Sequence, residues 1–80
     1  MKHTLNVELR EKFKEHKKRG LTQPDLAIDI LCVSVGTVSN WLNKRTRISG
    51  INNVAVVRDY IAGNREQVVE TVLARKGGSA

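Results

Sequence analysis

Nine consecutive residues of this chain carry no charge, although their spacing is that of a helix exposed on one side. Between Val35 and Asn43, apolar side chains recur at Val38, Trp41 and Leu42, the intervals of a buried helical face. The remaining positions are small and polar: Gly36, Thr37, Ser39, Asn40 and Asn43. Such side chains approach a duplex closely, hydrogen-bond to the edges of base pairs and do not repel phosphate. The segment therefore indicates a helix that reads bases.

Positive charge is concentrated on both sides of this uncharged segment. Residues 1–19 carry seven basic and three acidic side chains, residues 20–43 carry two acidic and no basic ones, and residues 44–47 carry three basic ones. The whole chain of 80 residues has a formal charge of +6, which favours a polyanionic partner. This distribution is expected where the flanks bind phosphate and the centre meets base edges.

Other chemistry has little support in the sequence. The single cysteine, Cys32, excludes an internal disulfide, and the distant His3 and His16 give no zinc-ligand spacing. No glycine-rich phosphate loop and no nucleophile–base pair is present, so we predict no enzyme, no metal and no cofactor. We expect Cys32 to be a small buried hydrophobe and both histidines to be exposed and inert.

The longest apolar run, Ile30 to Val33, is too short to span a membrane or to form a signal peptide. We therefore expect no membrane partner, and a reduced, cytoplasmic protein. A chain of this length forms at most one domain with a small core.

Five helix-sized segments must position the residues described above. They cover about residues 5–19, 23–31, 35–43, 51–62 and 65–76, and a Gly-Gly-Ser-Ala tail at 77–80 is expected to be flexible. This pattern predicts a compact all-α fold in which residues 1–76 form one domain. Trp41 is expected in its core.

Local signals mark where these helices begin and end. Thr4 or Asn6 can cap the first segment, and Ser34 is a typical cap for the third. Thr22 and Asp25 form a capping-box-like pair at the start of the second segment. Gly20 and Gly63 are expected to end the first and fourth segments.

Four short motifs lie in and around the second and third segments: Thr22-Gln23, Leu26-Ala27, Val33-Ser34 and Thr37-Val38-Ser39-Asn40-Trp41. Together they resemble the helix-turn-helix of the lambda-repressor-like (Cro/C1, XRE-type) regulators, whose five-helix layout also matches. Two departures stand out. Cys32 replaces the usual turn glycine, and the interval from Ala27 to Val33 is one residue longer. A cysteine in place of glycine suggests that the turn need not use a left-handed conformation. Either the turn holds an extra residue, or the second helix is rotated to bury Ala27 and Ile28.

The resemblance implies a small phage or mobile-element repressor that inserts the third helix into the major groove of double-stranded DNA. It also implies a homodimer on a two-fold operator. Carried over by position, the base contacts are Val35, Gly36, Thr37, Ser39 and Asn40. The corresponding phosphate contacts are Gln23, Asn43, Lys44, Arg45 and Arg47, and the basic end of the first segment adds Lys18 and Arg19.

The last two segments hold more apolar surface than a small core needs. In the fourth, one face is lined by Ile51, Val54, Ala55, Val57, Arg58 and Ile61, with Val56 and Tyr60 to its side. The dimer interface would consist of Val56, Tyr60, Val69, Val72 and Leu73, unless these residues serve the monomer core. Two other functions stay open: an antitoxin-like module that holds a protein partner and also binds DNA, and the DNA-binding subunit of a recombination complex.

Overall fold

The computed structural model describes residues 4–43 and 45–78, and the described chain forms five helices and no strand. In chain order they are α1 (Thr4–Lys17), α2 (Asp25–Leu31), α3 (Val35–Leu42), α4 (Ile51–Ala62) and α5 (Glu66–Gly78). The predicted all-α fold is confirmed. The predicted flexible tail is helical as far as Gly78, whereas its last two residues lie outside the described part, as do His3 and Lys44.

All five helices contribute apolar side chains to one core. Its buried residues include Leu9 and Phe13 of α1, Leu26 and Ile30 of α2, Val38 and Trp41 of α3, Val57 and Tyr60 of α4, and Val69 and Val72 of α5. The expected core position of Trp41 is confirmed. Tyr60, Val69 and Val72 were predicted either at a dimer interface or in the monomer core, and the structure buries them in the core. Val56 and Leu73 are only partly buried against that core.

The predicted Thr22–Asp25 pair at the start of the second helical segment and the predicted cap of α3 both form. One carboxylate oxygen of Asp25 accepts hydrogen bonds from the backbone N–H of Thr22 at 3.0 Å and from its hydroxyl at 2.9 Å. The Thr22 hydroxyl in turn accepts from the Asp25 N–H at 3.4 Å. Ser34 Oγ accepts from the Thr37 N–H at 3.2 Å. These bonds satisfy N–H groups that have no partner within the first helical turn.

The extra residue between Ala27 and Val33 is absorbed by the winding of α2. Its seven residues form a π-helix, in which each hydrogen bond spans one residue more than in an α-helix. Leu26, Ala27, Ile30 and Leu31 are therefore all buried, whereas Ile28 is 60% exposed. Neither predicted alternative is correct: the turn is not lengthened, and Ile28 is not buried.

Cys32 ends α2 in the left-handed conformation, with φ 58° and ψ 43°, and its side chain is exposed. Both predictions for this residue are wrong. The carbonyl of Ala27 accepts hydrogen bonds from the N–H groups of Cys32 and Val33, the latter at 2.8 Å. A helix closed in this way needs a left-handed residue at its end, and Cys32 occupies that position although it is not glycine.

His16 is only 3% exposed, so the expectation of an exposed histidine is wrong. Its Nδ1 lies 2.7 Å from the Tyr60 hydroxyl, and its Nε2 lies 3.1 and 3.2 Å from the two carboxylate oxygens of Glu66. The buried face of α1 includes Leu9 and Phe13 and continues for one further turn to position 16. His16 thereby connects the end of α1 to α4 and α5.

Among the described residues, no single helix is long and apolar enough to cross a membrane. Only α2 and α3 taken together reach the required length and composition, and they are bent by 109° at their break.

Candidate nucleic-acid interface

α3 follows α2 after a short break, Cys32 to Ser34, and the two helices are bent by 109° at this break. Val38, Trp41 and Leu42 are buried and therefore set the rotation of α3 about its own axis. The opposite side, the outer face of α3, holds four of the predicted base-reading residues: exposed Gly36 and half-buried Thr37, Ser39 and Asn40. The fifth, Val35, is partly buried against the core.

Some polar side chains of this outer face form hydrogen bonds within the protein, and others do not. Thr37 Oγ1 lies 2.7 Å from Ser34 Oγ, and Ser39 Oγ accepts from Asn43 Nδ2 at 3.4 Å. The carbonyl of Asn40 accepts from the Arg45 N–H at 2.8 Å, but its side-chain amide bonds to no other residue in the described part of the chain. Asn40 therefore presents both an amide donor and an acceptor to a ligand. This is the pair of groups that binds adenine bidentately.

Gly36 lies near the start of the same face. Nothing lies within 4 Å of the position that a Cβ atom would take there, so packing within the protein does not require a glycine. A residue without a side chain at this exposed point leaves room for a surface that approaches the helix backbone closely.

Beside α3 lies a groove of about 220 Å³, here called the basic groove, which is lined by Arg10, Phe13, Lys14, Lys17, Gln23, Leu42 and Asn43. Three of these residues are cations of α1, and they follow each other at intervals of four and three. This spacing places them on one side of the helix. Gln23 opens the second helical segment and Asn43 directly follows α3. The groove therefore combines three positive charges with two amides next to the outer face of α3.

The predicted phosphate contacts do not all lie in the same part of the structure. Gln23 and Asn43 meet in the basic groove. Arg45 and Arg47 are exposed in the loop after α3, and Arg47 lines a different groove together with Arg58 of α4. Lys18 is exposed, and Lys44 lies outside the described residues.

Arg19 is engaged within the protein. Its two terminal nitrogens each lie 2.8 Å from a carboxylate oxygen of Glu70 in α5. Hydrogen bonds from this guanidinium lower the pKa of Glu70. Arg19 thus connects the end of α1 to α5, and a phosphate contact would have to compete with this pair.

Sequence reasoning missed two features of this region. Arg10 and Lys14 could have been found, since with Lys17 they have the spacing of one helix face, but only the consecutive bases at 17–19 were considered. Thr4 or Asn6 was predicted to cap α1, and Asn6 does not, because its side chain is 1% exposed inside α1. Nothing in the local sequence indicates its partners, which are 35 to 42 residues away.

Asn6 joins α1 to the segment that follows α3. Its Nδ2 donates to the carbonyls of Trp41 at 3.0 Å and Thr46 at 2.9 Å, and its Oδ1 accepts from the Ile48 N–H at 3.3 Å. Three buried or partly buried backbone groups are satisfied by one side chain. The path of the loop that carries Arg45 and Arg47 therefore depends on Asn6.

The carboxylate of Asp25, at the start of α2, is paired with a cation. Lys76 Nζ lies 2.9 Å from Asp25 Oδ2. Burial by itself would raise the pKa of Asp25, but hydrogen bonds from Lys76 and Thr22 lower it overall. The carboxylate therefore stays ionised and paired, and it opposes an anion near Gln23 less than a free carboxylate would.

Among the described residues, no group of three His, Cys, Asp or Glu side chains could hold a metal ion. Comparison of the chain with models of known protein families, with curated proteins and with solved structures finds no match in any of the three.

Proposed function

We propose that this protein is a sequence-specific regulator of transcription that binds double-stranded DNA by inserting α3 into the major groove. The angle of 109° and the three-residue break between α2 and α3 fall within the range of helix-turn-helix motifs, whose second helix reads bases. The five-helix arrangement supports the finer proposal of a lambda-repressor-like domain.

The observation that carries this proposal is the basic groove beside an outer face of α3 that has no charged residue. A backbone phosphate bound by Arg10, Lys14 and Lys17 would hold the duplex next to α3. Gln23 and Asn43 would add directional hydrogen bonds that set its position, since phosphate contacts fix the register of a protein on DNA. Gly36 and Asn40 would then face the base edges.

The regulator would act as a homodimer on a two-fold operator. In such a complex each protomer places its α3 on one half-site, so the symmetry of the DNA site mirrors that of the dimer. Occupation of a promoter by such a dimer excludes polymerase, so the expected effect is repression. We propose that it acts in the cytoplasm of a bacterial or phage-infected cell.

The test is selection from a pool of random duplexes at physiological salt, followed by sequencing of the bound molecules. We expect one two-fold sequence to be enriched. The enrichment should weaken for Asn40→Ala and persist for the matched variant Asn64→Ala, which removes an exposed asparagine from the α4–α5 turn. Binding without enrichment, or no binding, would contradict the proposal.

A further inference from the structure

One apolar surface of the protein is left uncovered by the described residues. Ile51, at the start of α4, is 89% exposed, which is unusual for a large apolar side chain. The prediction that Ile51, Ala55 and Arg58 share one face with Val57 is wrong. Val57 and Tyr60 pack into the core, whereas Ile51, Ala55 and Arg58 are exposed on another side of the helix.

This surface, here called the α1–α4 face, is continuous. Three adjoining grooves cover it, and all of them are lined by Arg58. Its apolar residues come from the start of α1 and from one side of α4: Leu5, Ile51, Val54, Ala55, Ile61 and Ala62. On α4 they recur at intervals of three and four, as in the seam between two packed helices. Exposed apolar surface in one continuous patch indicates a protein contact.

The charges of this face indicate what covers it. Arg58 and Glu8 both line it and are both exposed, yet neither forms an ion pair with any described residue. Arg47 lines one of these grooves and is a second exposed cation without an ion pair in the described part of the chain, so the face carries two cations and one anion. A two-fold contact that sets each Arg58 opposite Glu8 of the second copy would pair these two charges in both copies. DNA would match only the cations and would leave Glu8 and the apolar surface unmatched.

We propose that the α1–α4 face joins two copies of this chain in a two-fold, self-complementary contact. In such a contact each copy presents the same patch to the other, and the assembly closes at two. The proposal replaces the interface predicted from sequence, whose residues Tyr60, Val69 and Val72 lie in the core.

The size of the face predicts a weak dimer. α4 has 12 residues, so the strip is about 18 Å long and, with the start of α1 beside it, covers on the order of 300–500 Å². Stable interfaces bury about 800 Å² on each partner. Two copies on one two-fold DNA site would associate more strongly, because the duplex holds them together. This last point rests on the proposed function, whereas the contact itself can be measured without DNA.

The first experiment is sedimentation equilibrium of the full chain without DNA, at concentrations up to about 1 mM to include weak dimers. We expect a monomer–dimer equilibrium and a dissociation constant at least about tenfold higher for Ile51→Glu. Ile28→Glu is the matched control, because Ile28 is also an exposed isoleucine but lies on α2, outside the face. A chain that stays monomeric throughout, or a dimer that responds equally to both variants, would overturn the proposal.

The second experiment tests the charge pairing. Arg58→Glu and Glu8→Arg should each weaken the dimer, because each places like charges opposite one another. The double variant should restore most of the affinity. Both positions are exposed, so thermal unfolding should change little. If the double variant is no better than the singles, the two-fold pairing is wrong and a different protein becomes the better occupant. A dimer that binds no DNA would instead contradict only the proposed function.

Discussion

The imidazole Nδ1 of His16 and the hydroxyl of Tyr60 lie 2.7 Å apart inside the core, although 44 residues separate them in the chain. Glu66 lies at the other side of the same ring, 3.1 Å from Nε2. A neutral imidazole that donates a hydrogen bond from Nε2 to Glu66 accepts one at Nδ1 from the Tyr60 hydroxyl. In this arrangement all three side chains have a hydrogen-bond partner. The end of α1, the end of α4 and the start of α5 therefore meet at one polar point in an otherwise apolar core.

This environment predicts a loss of stability at alkaline pH. Burial raises the pKa of Tyr60 well above its ordinary value, and the negative charges of Glu66 and Glu15 raise it further. Because the folded state favours the neutral phenol, its stabilising contribution is complete below the ordinary tyrosine pKa of about 10 and is lost as the pH rises above it. Tyr60 is the only tyrosine, so tyrosinate absorbance reports on it alone. We expect that signal to appear together with unfolding. Ionisation near the ordinary pKa in a chain that is still helical would contradict this.

Cys32→Gly should stabilise the protein. Cys32 is held at φ 58°, where a side chain costs about 1 kcal/mol and glycine does not. The thiol is exposed, so its removal loses little packing. We expect a gain of about 0.5–1 kcal/mol in the free energy of unfolding, measured by urea denaturation. Cys32→Ala is the control, since it removes the thiol but keeps the Cβ atom. An equal gain in both variants would mean that the thiol, and not the backbone conformation, is responsible.

Asn6→Ala should destabilise the protein by about 2–4 kcal/mol, because it removes buried hydrogen bonds from the Trp41 carbonyl and the Ile48 N–H. The measurement is again urea denaturation. Asn43→Ala is a suitable comparison, since that side chain is exposed and its one bond is long, at 3.4 Å. We expect its unfolding free energy to change by less than about 1 kcal/mol. Similar losses in the two variants would show that the Asn6 network contributes little.

Asn40→Ala should weaken binding to the selected DNA site by about 1–3 kcal/mol and relax its sequence preference at one or two positions. The reason is that the Asn40 amide faces outward from α3 with both its donor and its acceptor available. Competition binding against single-base variants of the site measures both effects. A uniform loss across all sequences would indicate that Asn40 contacts the backbone and that α3 docks differently.

Lys14→Gln should weaken binding to every sequence alike and reduce the slope of affinity against salt concentration by about one phosphate contact. Lys14 lines the basic groove, whereas Lys18, which was proposed from sequence, does not. Lys18→Gln is therefore the matched control, and we expect a smaller change in its slope. If Lys18→Gln has the larger effect, the phosphate lies at the end of α1 and not in the groove.

The approximate positions of the five helices, the capping bonds before α2 and α3, and the rotation of α3 could all be predicted from the sequence. The bonds of Thr22 with Asp25 and of Ser34 with Thr37 join residues three apart, so local spacing is sufficient to predict them. Likewise, the spacing of Val38, Trp41 and Leu42 predicts which side of α3 faces the core, because a helix repeats every 3.6 residues.

Contacts between distant segments settle which of the remaining side chains are buried and how α2 is wound. The burial of His16 and Asn6 depends on partners 35 or more residues away, which no local pattern contains. On α4 two helical faces hold apolar residues, and the choice between them depends on which one the other helices cover. The π-winding of α2 and the conformation of Cys32 follow from closing one turn around an extra residue while Leu26, Ala27 and Ile30 stay buried. Packing with distant elements decides such choices, because local spacing does not distinguish the alternatives.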